Sequence, residues 1–294
     1  MSEIFWHIGY TKAASTYLQT WFGSCEEIHF ENFRPTWRKL VTVSDIAFKG
    51  QEIRDWLADT KQQATTKSII ISHERLAGSP HSGHYDQLTI AKRIKEIAPN
   101  SKIILIVREQ KELFSSIYRQ YLRAGGILLS DQYFSEFWDG RIPRFNFAPY
   151  YYDRVLEIYQ SIFGMDGVFV FDFNLLKHSE NDFQNAIINK TGLKLGSKNI
   201  GQTNCGIPIN ELAEIWIENN FKKHHTNSLG GAKSLLNDLP EEFKLKLKRY
   251  LATNYCDDVD ANINSIVANR FMDSNFNFRE LTGIDFSSSE LDNV

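Results

Sequence analysis

Two runs of branched aliphatic residues, Ile69-Ile70-Ile71 and Ile103-Ile104-Leu105-Ile106-Val107, contain no polar side chain, and polar groups follow each, at His73-Glu74-Arg75 and at Arg108-Glu109. A strand with one face in water alternates apolar and polar residues. A strand apolar on both faces must be covered on both, as in a parallel sheet packed between helices. Two further stretches read the same way: Glu3 to Ile8, stopped by Gly9, and Gly167 to Phe171. Helical spacing falls between them. Ala13 to Phe22 puts Tyr17, Leu18, Trp21 and Phe22 inward, Tyr85 to Ile97 forms a second helix, and Lys111 to Arg123 a third that ends at Gly125-Gly126. The alternation predicts an α/β fold, a central parallel sheet flanked by helices, with ligands at the carboxyl ends of the strands.

Residues 1–175 are expected to form the catalytic core, and residues 176–294 a helical part of the same domain that caps it on the acceptor side. The clearest helices there are 211–221, 241–251 and 263–271. A chain of 294 residues with 42% hydrophobic residues can bury a substantial core. A net charge of −3 points away from nucleic acid and from electrostatic recruitment to membranes. Cys25, Cys205 and Cys256 are too few and too far apart for a disulfide framework or a structural zinc, so no metal is expected. The amino terminus lacks the pattern of a secretory signal, and no stretch offers the roughly 20 apolar residues of a membrane span. A cytoplasmic location is the expectation. Lys222-Lys223-His224-His225 and Leu229-Gly230-Gly231 read as a solvated basic loop, and the tail after Asp285 as frayed.

Between the first strand and the first helix stands His7-Ile8-Gly9-Tyr10-Thr11-Lys12-Ala13-Ala14-Ser15-Thr16. Backbone N–H groups at a helix start have no intrahelical partner and sit at the positive end of its dipole, so they can point at phosphate or sulfate oxygens. Lys12 adds a mobile charge, and Ser15 and Thr16 add donors. The bland alternative is a helix start capped by Thr11 or Ser15 beside an exposed lysine. A nucleotide triphosphatase loop would show a second glycine before the lysine and a hydroxyl after it, and neither is here. The second site is the end of the strand Ile103 to Val107, where Arg108 can fork onto a phosphate and Ser116, two turns into the next helix, can donate to the same group. Singly, these would pass for a surface ion-pair partner and a solvated serine.

Together, in this order, the two segments resemble the motifs of sulfotransferases that use 3'-phosphoadenosine 5'-phosphosulfate (PAPS), in particular the bacterial carbohydrate-acting ones. The resemblance implies a P-loop-type fold. It also implies a 5'-phosphosulfate loop made by Gly9, Tyr10, Thr11, Lys12, Ala13, Ala14, Ser15 and Thr16, and a 3'-phosphate grip by Arg108 and Ser116. Ala13 and Ala14 stand where many members have threonine and glycine, and Glu109-Gln110 where they have Asn-Pro or Asp-Pro.

The resemblance further implies direct in-line transfer of a sulfuryl group from PAPS to a hydroxyl, releasing adenosine 3',5'-bisphosphate and needing no metal. Lys12 would stabilise the departing phosphate, and a base would take the acceptor proton. Glu74 is the first candidate for that base and His73 the second. His7 reads as a buried histidine bonded to backbone. A sugar or glycoconjugate is the expected acceptor, with Tyr118, Tyr121, Trp138 and Tyr150-Tyr151-Tyr152 as candidate stacking platforms. A P-loop kinase and a noncatalytic nucleotide-binding protein are the rival readings.

Overall fold

The computed structural model describes residues 2–33, 37–65, 67–135, 145–201, 211–220, 240–254 and 258–286. Five parallel strands form one sheet: β1 (Ile4–His7), β2 (His29–Asn32), β3 (Ile69–Ser72), β4 (Lys102–Val107) and β5 (Val168–Asp172), in the order β2-β3-β1-β4-β5. Every residue of β1 and β3 is buried, and so is every residue of β4 after Lys102. The polar-free runs are therefore the inner strands, covered on both faces. Each of their large side chains contributes about 1.5–3 kcal/mol relative to exposure. The strand the sequence reading missed is β2. His-Phe-Glu-Asn is half-buried throughout and lies at a sheet edge, where a short polar strand pairs on one side only and leaves no apolar run to find.

The helices α1 (Ser15–Gly23), α2 (Trp37–Val41), α3 (Gly50–Ala64), α4 (Gln87–Ile97) and α5 (Gln110–Arg123) precede or join the inner strands. They are followed by α6 (Ser130–Tyr133), α7 (Tyr152–Phe163), α8 (Phe173–His178) and α9 (Glu180–Thr191). Last come α10 (Leu212–Asn220), α11 (Glu241–Asn254), α12 (Val259–Val267) and α13 (Met272–Thr282). Residues after 175 share the core with the sheet. Phe183 and Ile187 of α9 are fully buried, as is Phe278 of α13, which packs against Tyr152 and Phe286. The helix expected over 263–271 is instead the end of α12 and a break. Phe271 leaves the helical path to bury against Tyr151, with ring centroids 5.0 Å apart, and the chain restarts as α13.

Strand order places the site. The chain builds β2 and β3 on one side of β1, then crosses to lay down β4 and β5 on the other, and a crevice opens at the carboxyl ends where that direction reverses. His7 is level with Ser72 of β3 and Ile104 of β4. The segments after β1, β3 and β4 thus leave the same edge of the sheet side by side. The helix expected over 211–221 is α10, Leu212–Asn220, while residue 221, Trp138, Cys205, Cys256, residues 222–231 and the tail beyond 286 lie outside the described residues.

Candidate functional site

Residues Ile8 to Ala14 make a tight loop. The Ala13 N–H donates to the Tyr10 carbonyl at 3.0 Å, and Lys12 and Ala14 both take left-handed backbone, with φ of 70° and 59°. An L-residue in that conformation costs about 1–2 kcal/mol, which glycine would not. Ala14 is the residue just before α1, and α1 receives no side-chain cap. Left-handed turns leading into an uncapped helix start aim N–H groups into one concavity, a nest suited to an anion. The start of α5 is arranged in the opposite way. Glu109 accepts from the N–H groups of Lys111 and Glu112 at 2.9 Å, so that helix start is already closed by a carboxylate.

The residues of the loop divide by where they point. Gly9 is buried, and a methyl on it would stand 2.7 Å from His7 Nε2 and 2.9 Å from Ser15 Oγ. Ser15 Oγ is buried and has no hydrogen-bond partner among the described residues. Thr11 is buried and Thr16 exposed, while Ala13 is fully buried and packs in the core. The Tyr10 side chain turns away from the loop into the core, its hydroxyl donating to the Pro149 carbonyl at 2.6 Å. Tyr10 therefore brings backbone and not its phenol to the concavity. His7 is buried, with its Nδ1 2.8 Å from the Ser72 hydroxyl, so its partner is a side chain and not the backbone that the sequence suggested.

Arg108, one residue past β4, reaches across the crevice. Its Nη1 donates to the Lys12 carbonyl at 3.1 Å, its Nε and Nη2 fork onto one oxygen of Glu112, and its guanidinium lies 4.6 Å over the Phe173 ring. The arginine is thus built into the loop's own geometry. Ser116 is half-buried one helical turn beyond Glu112 on α5. The same stripe continues to Arg119 and Arg123, and the Arg123 charge acts on Lys12. Burial pushes the Lys12 pKa down, Arg123 and Arg108 push it further, and Glu74 works against them. An anion settling among these groups would restore the ammonium. Arg123 was missed in the sequence, although its spacing from Glu112 and Ser116 along one helix face carried the signal.

Glu74 and His73 follow β3 and open a short 3-10 turn, Glu74–Ala77. They are not equivalent. His73 Nδ1 accepts from the Arg75 N–H at 3.1 Å, and its ring stacks on Trp37 at 5.0 Å. Glu74 is exposed, and its carboxylate is within electrostatic reach of Lys12. The crevice therefore brings together Lys12, Arg108, Glu74 and the loop, with His73 committed to the turn.

The aromatic residues considered as sugar platforms are mostly core. Tyr118, Tyr150 and Tyr152 are buried, and Tyr150 stacks with Phe145 at 5.4 Å and meets Phe114 edge-on at 4.9 Å. Tyr121 stays half-buried, stacked on Tyr133 at 4.4 Å, and Tyr151 is half-buried against Phe271. A cleft of about 520 Å³ lies between the start of α5 and α12–α13, but Lys12, Glu74, Arg108 and Ser116 do not line it. Among the described residues no cluster of three His, Cys, Asp or Glu could hold a metal, and no helix is long and apolar enough to cross a membrane.

Two buried histidines set an acid limit on the fold. Burial pushes His7 down to about 3 and His84 to about 4, from 6.5. His84 is held neutral by burial against the pull of the Ala77 carbonyl, 2.6 Å from its Nδ1, which favours the charged ring, and its Nε2 lies 3.0 Å from the Tyr150 hydroxyl. Between those values and 6.5 the unfolded chain binds the protons that the folded chain refuses, so stability rises with pH across that window. Each histidine contributes up to about 1.4 kcal/mol per pH unit there. The raised carboxyls of Asp86, Glu109 and Asp172, each lifted chiefly by burial, act with the opposite sign. Thermal unfolding without ligand should shift to lower temperature from pH 7 to pH 5.5, and an unchanged melting temperature would contradict the assignment of both rings as neutral.

No family model and no curated protein sequence matches this chain. Among solved structures, a sulfotransferase from Alicyclobacillus acidocaldarius is 12% identical with a TM-score of 0.48, over 93% of this chain and 99% of that one. The sulfotransferase domain of the curacin biosynthetic pathway is 10% identical at a TM-score of 0.42, over 91% and 98%. A mouse sulfotransferase complexed with PAP is 14% identical at 0.41, over 91% and 88%. The chain's own features are a parallel sheet in the order β2-β3-β1-β4-β5, a left-handed loop leading from β1 into an uncapped helix, and an arginine after β4 that reaches that loop. They make it a parallel α/β protein whose first strand leads through a left-handed loop into an uncapped helix start.

Proposed function

We propose that this protein is an enzyme that transfers a sulfuryl group from PAPS to an acceptor hydroxyl. The loop after β1 carries the reading: it combines a buried serine hydroxyl without a partner among the described residues, an uncapped helix start and a half-buried lysine, a set that suits the oxygens of a 5'-phosphosulfate. PAPS, when bound, supplies the sulfuryl group and leaves as adenosine 3',5'-bisphosphate. The N–H groups from Gly9 to Thr16, apart from that of Ala13, which is spent on the Tyr10 carbonyl, hold the 5'-phosphate side, and Lys12 neutralises the charge that grows on the bridging oxygen. Arg108 and Ser116 take the 3'-phosphate, a remote contact that fixes the donor in line. Glu74, exposed at the rim, draws the proton from the acceptor hydroxyl as its oxygen attacks sulfur.

Residue chemistry disfavours a P-loop kinase. The position after Lys12, where such kinases keep a metal-holding hydroxyl, is Ala13, fully buried in the core. For the acceptor we propose a carbohydrate or glycoconjugate, on the resemblance of the loop and with half-buried Tyr121 as the remaining stacking candidate.

Calorimetry tests the donor class. Adenosine 3',5'-bisphosphate should bind and ATP should not compete at equal concentration, whereas preferential ATP binding would favour the kinase. Ser116→Ala should weaken adenosine 3',5'-bisphosphate by about tenfold and leave adenosine 5'-phosphate alone. Arg108→Ala should weaken both, because the same guanidinium holds the Lys12 carbonyl. A Ser116→Ala protein that loses both ligands equally would remove Ser116 from the 3'-phosphate.

A further inference from the structure

His7 ends β1, is completely buried, and points its Nε2 at the notch beside Gly9 without a hydrogen-bond partner. Its other nitrogen is tied to β3 and α1. Gln19 Nε2 donates to the Ser72 hydroxyl at 3.2 Å, and the same hydroxyl lies 2.8 Å from His7 Nδ1. With the amide hydrogen entering Ser72 Oγ, the hydroxyl proton is free to go to Nδ1. That relay leaves the imidazole proton on Nε2. Ser15 Oγ, also buried and without a partner, flanks the same notch. Two donors therefore converge where the described residues offer no acceptor, and a buried donor left unmade costs about 1–3 kcal/mol. Glycine at position 9 keeps the notch open, since a methyl would sit 2.7 Å from one atom and 2.9 Å from the other.

We propose that His7 is a positioning and binding residue of this site, its Nε2–H donating with the Ser15 hydroxyl to an oxygen of the 5'-phosphate end of the bound nucleotide. The inference rests on the reading of the loop as a phosphate holder, and adds to it a donor from inside the sheet that is neutral, rigid and shielded from water. In the ligand-free protein burial lowers the imidazole pKa to about 3, and once an anion is bound Nε2–H can donate from either the neutral or the charged ring. Lys12 supplies charge at the open side of the concavity. His7 and Ser15 supply direction at its floor.

The test pairs ligands with and without the 5'-phosphate. In His7→Phe, affinity for adenosine 3',5'-bisphosphate should fall by roughly tenfold or more, and affinity for adenosine 3'-phosphate should not change. His7→Gln, which can still present an N–H, should recover part of the loss. Ser72→Ala keeps the ring but removes the relay that fixes its proton, and should lose an intermediate amount. An equal loss for both nucleotides, or none for either, would overturn the assignment. Should His7→Phe fail to fold, Ser72→Ala decides by the same comparison, because an unchanged preference for the 5'-phosphorylated ligand would remove the relay and His7 with it. Failure of the sulfotransferase reading is separable. If the wild-type protein prefers ATP, the same variants compared on adenosine 5'-phosphate and adenosine still decide whether His7 reads a 5'-phosphate.

Discussion

Lys12→Ala should lower the single-turnover rate with PAPS by about 10²–10³-fold while leaving the protein folded. Lys12 is half-buried, and burial together with the Arg123 and Arg108 charges lowers its pKa, with Glu74 as the one opposing influence. The ammonium is thus poorly solvated in the free protein and gains most when negative charge arrives. In sulfuryl transfer that charge grows on the bridging oxygen as the bond to sulfur breaks, so the interaction is worth more in the transition state than in the ground state. The expected pattern is a fall in rate larger than the fall in adenosine 3',5'-bisphosphate affinity. Backbone provides a control: Lys12 has a φ of 70°, so Lys12→Gly relieves a left-handed residue where Lys12→Ala does not. Both variants should lose the same rate, and the glycine variant should melt no lower than the alanine one. A folded Lys12→Ala enzyme with unchanged turnover would sink the role of Lys12.

Glu74→Gln should reduce turnover by about 10²-fold or more with donor affinity nearly unchanged. The substitution keeps size and hydrogen bonding but removes the basic group. Glu74 is exposed at the start of the turn after β3, and its charge reaches Lys12, so it stands at the rim of the crevice and not beneath it. His73→Asn should show a different signature. His73 Nδ1 accepts the Arg75 N–H and its ring stacks on Trp37, so its loss should appear chiefly in melting temperature. If Glu74 served only to balance Lys12, Glu74→Gln would change donor affinity and leave the single-turnover rate near normal. Rate, affinity and melting temperature measured together on both variants separate these roles.

The loop after β1 and two groups that the structure brings near it, Arg108 and Glu74, were legible in the sequence, because each is written locally. An apolar run ending in Arg108, a run ending near Glu74 and small residues around Lys12 need only strand, turn and helix rules to be read. What went unread was less local. β2 lacks an apolar run, Tyr118, Tyr150 and Tyr152 look in sequence as available as any surface aromatic, and Tyr10 sits inside the motif yet buries its ring.

By itself the sequence determined that the chain builds a parallel sheet covered on both faces and that a loop of small residues, hydroxyls and a lysine joins its first strand to a helix start. Both follow from residue type and spacing over a dozen positions, the range over which hydrophobic periodicity and helix-end chemistry act. Tertiary structure alone decided which distant groups face that loop. The strand order sets β1 between β3 and β4, and only that adjacency joins Arg108 to the Lys12 carbonyl, Ser72 to His7, and the Arg123 and Glu74 charges to Lys12. Hydrogen bonds and charge pairs act over a few ångströms of space whatever the distance along the chain, so the partners of a loop are fixed by strand order and register, which no local pattern encodes.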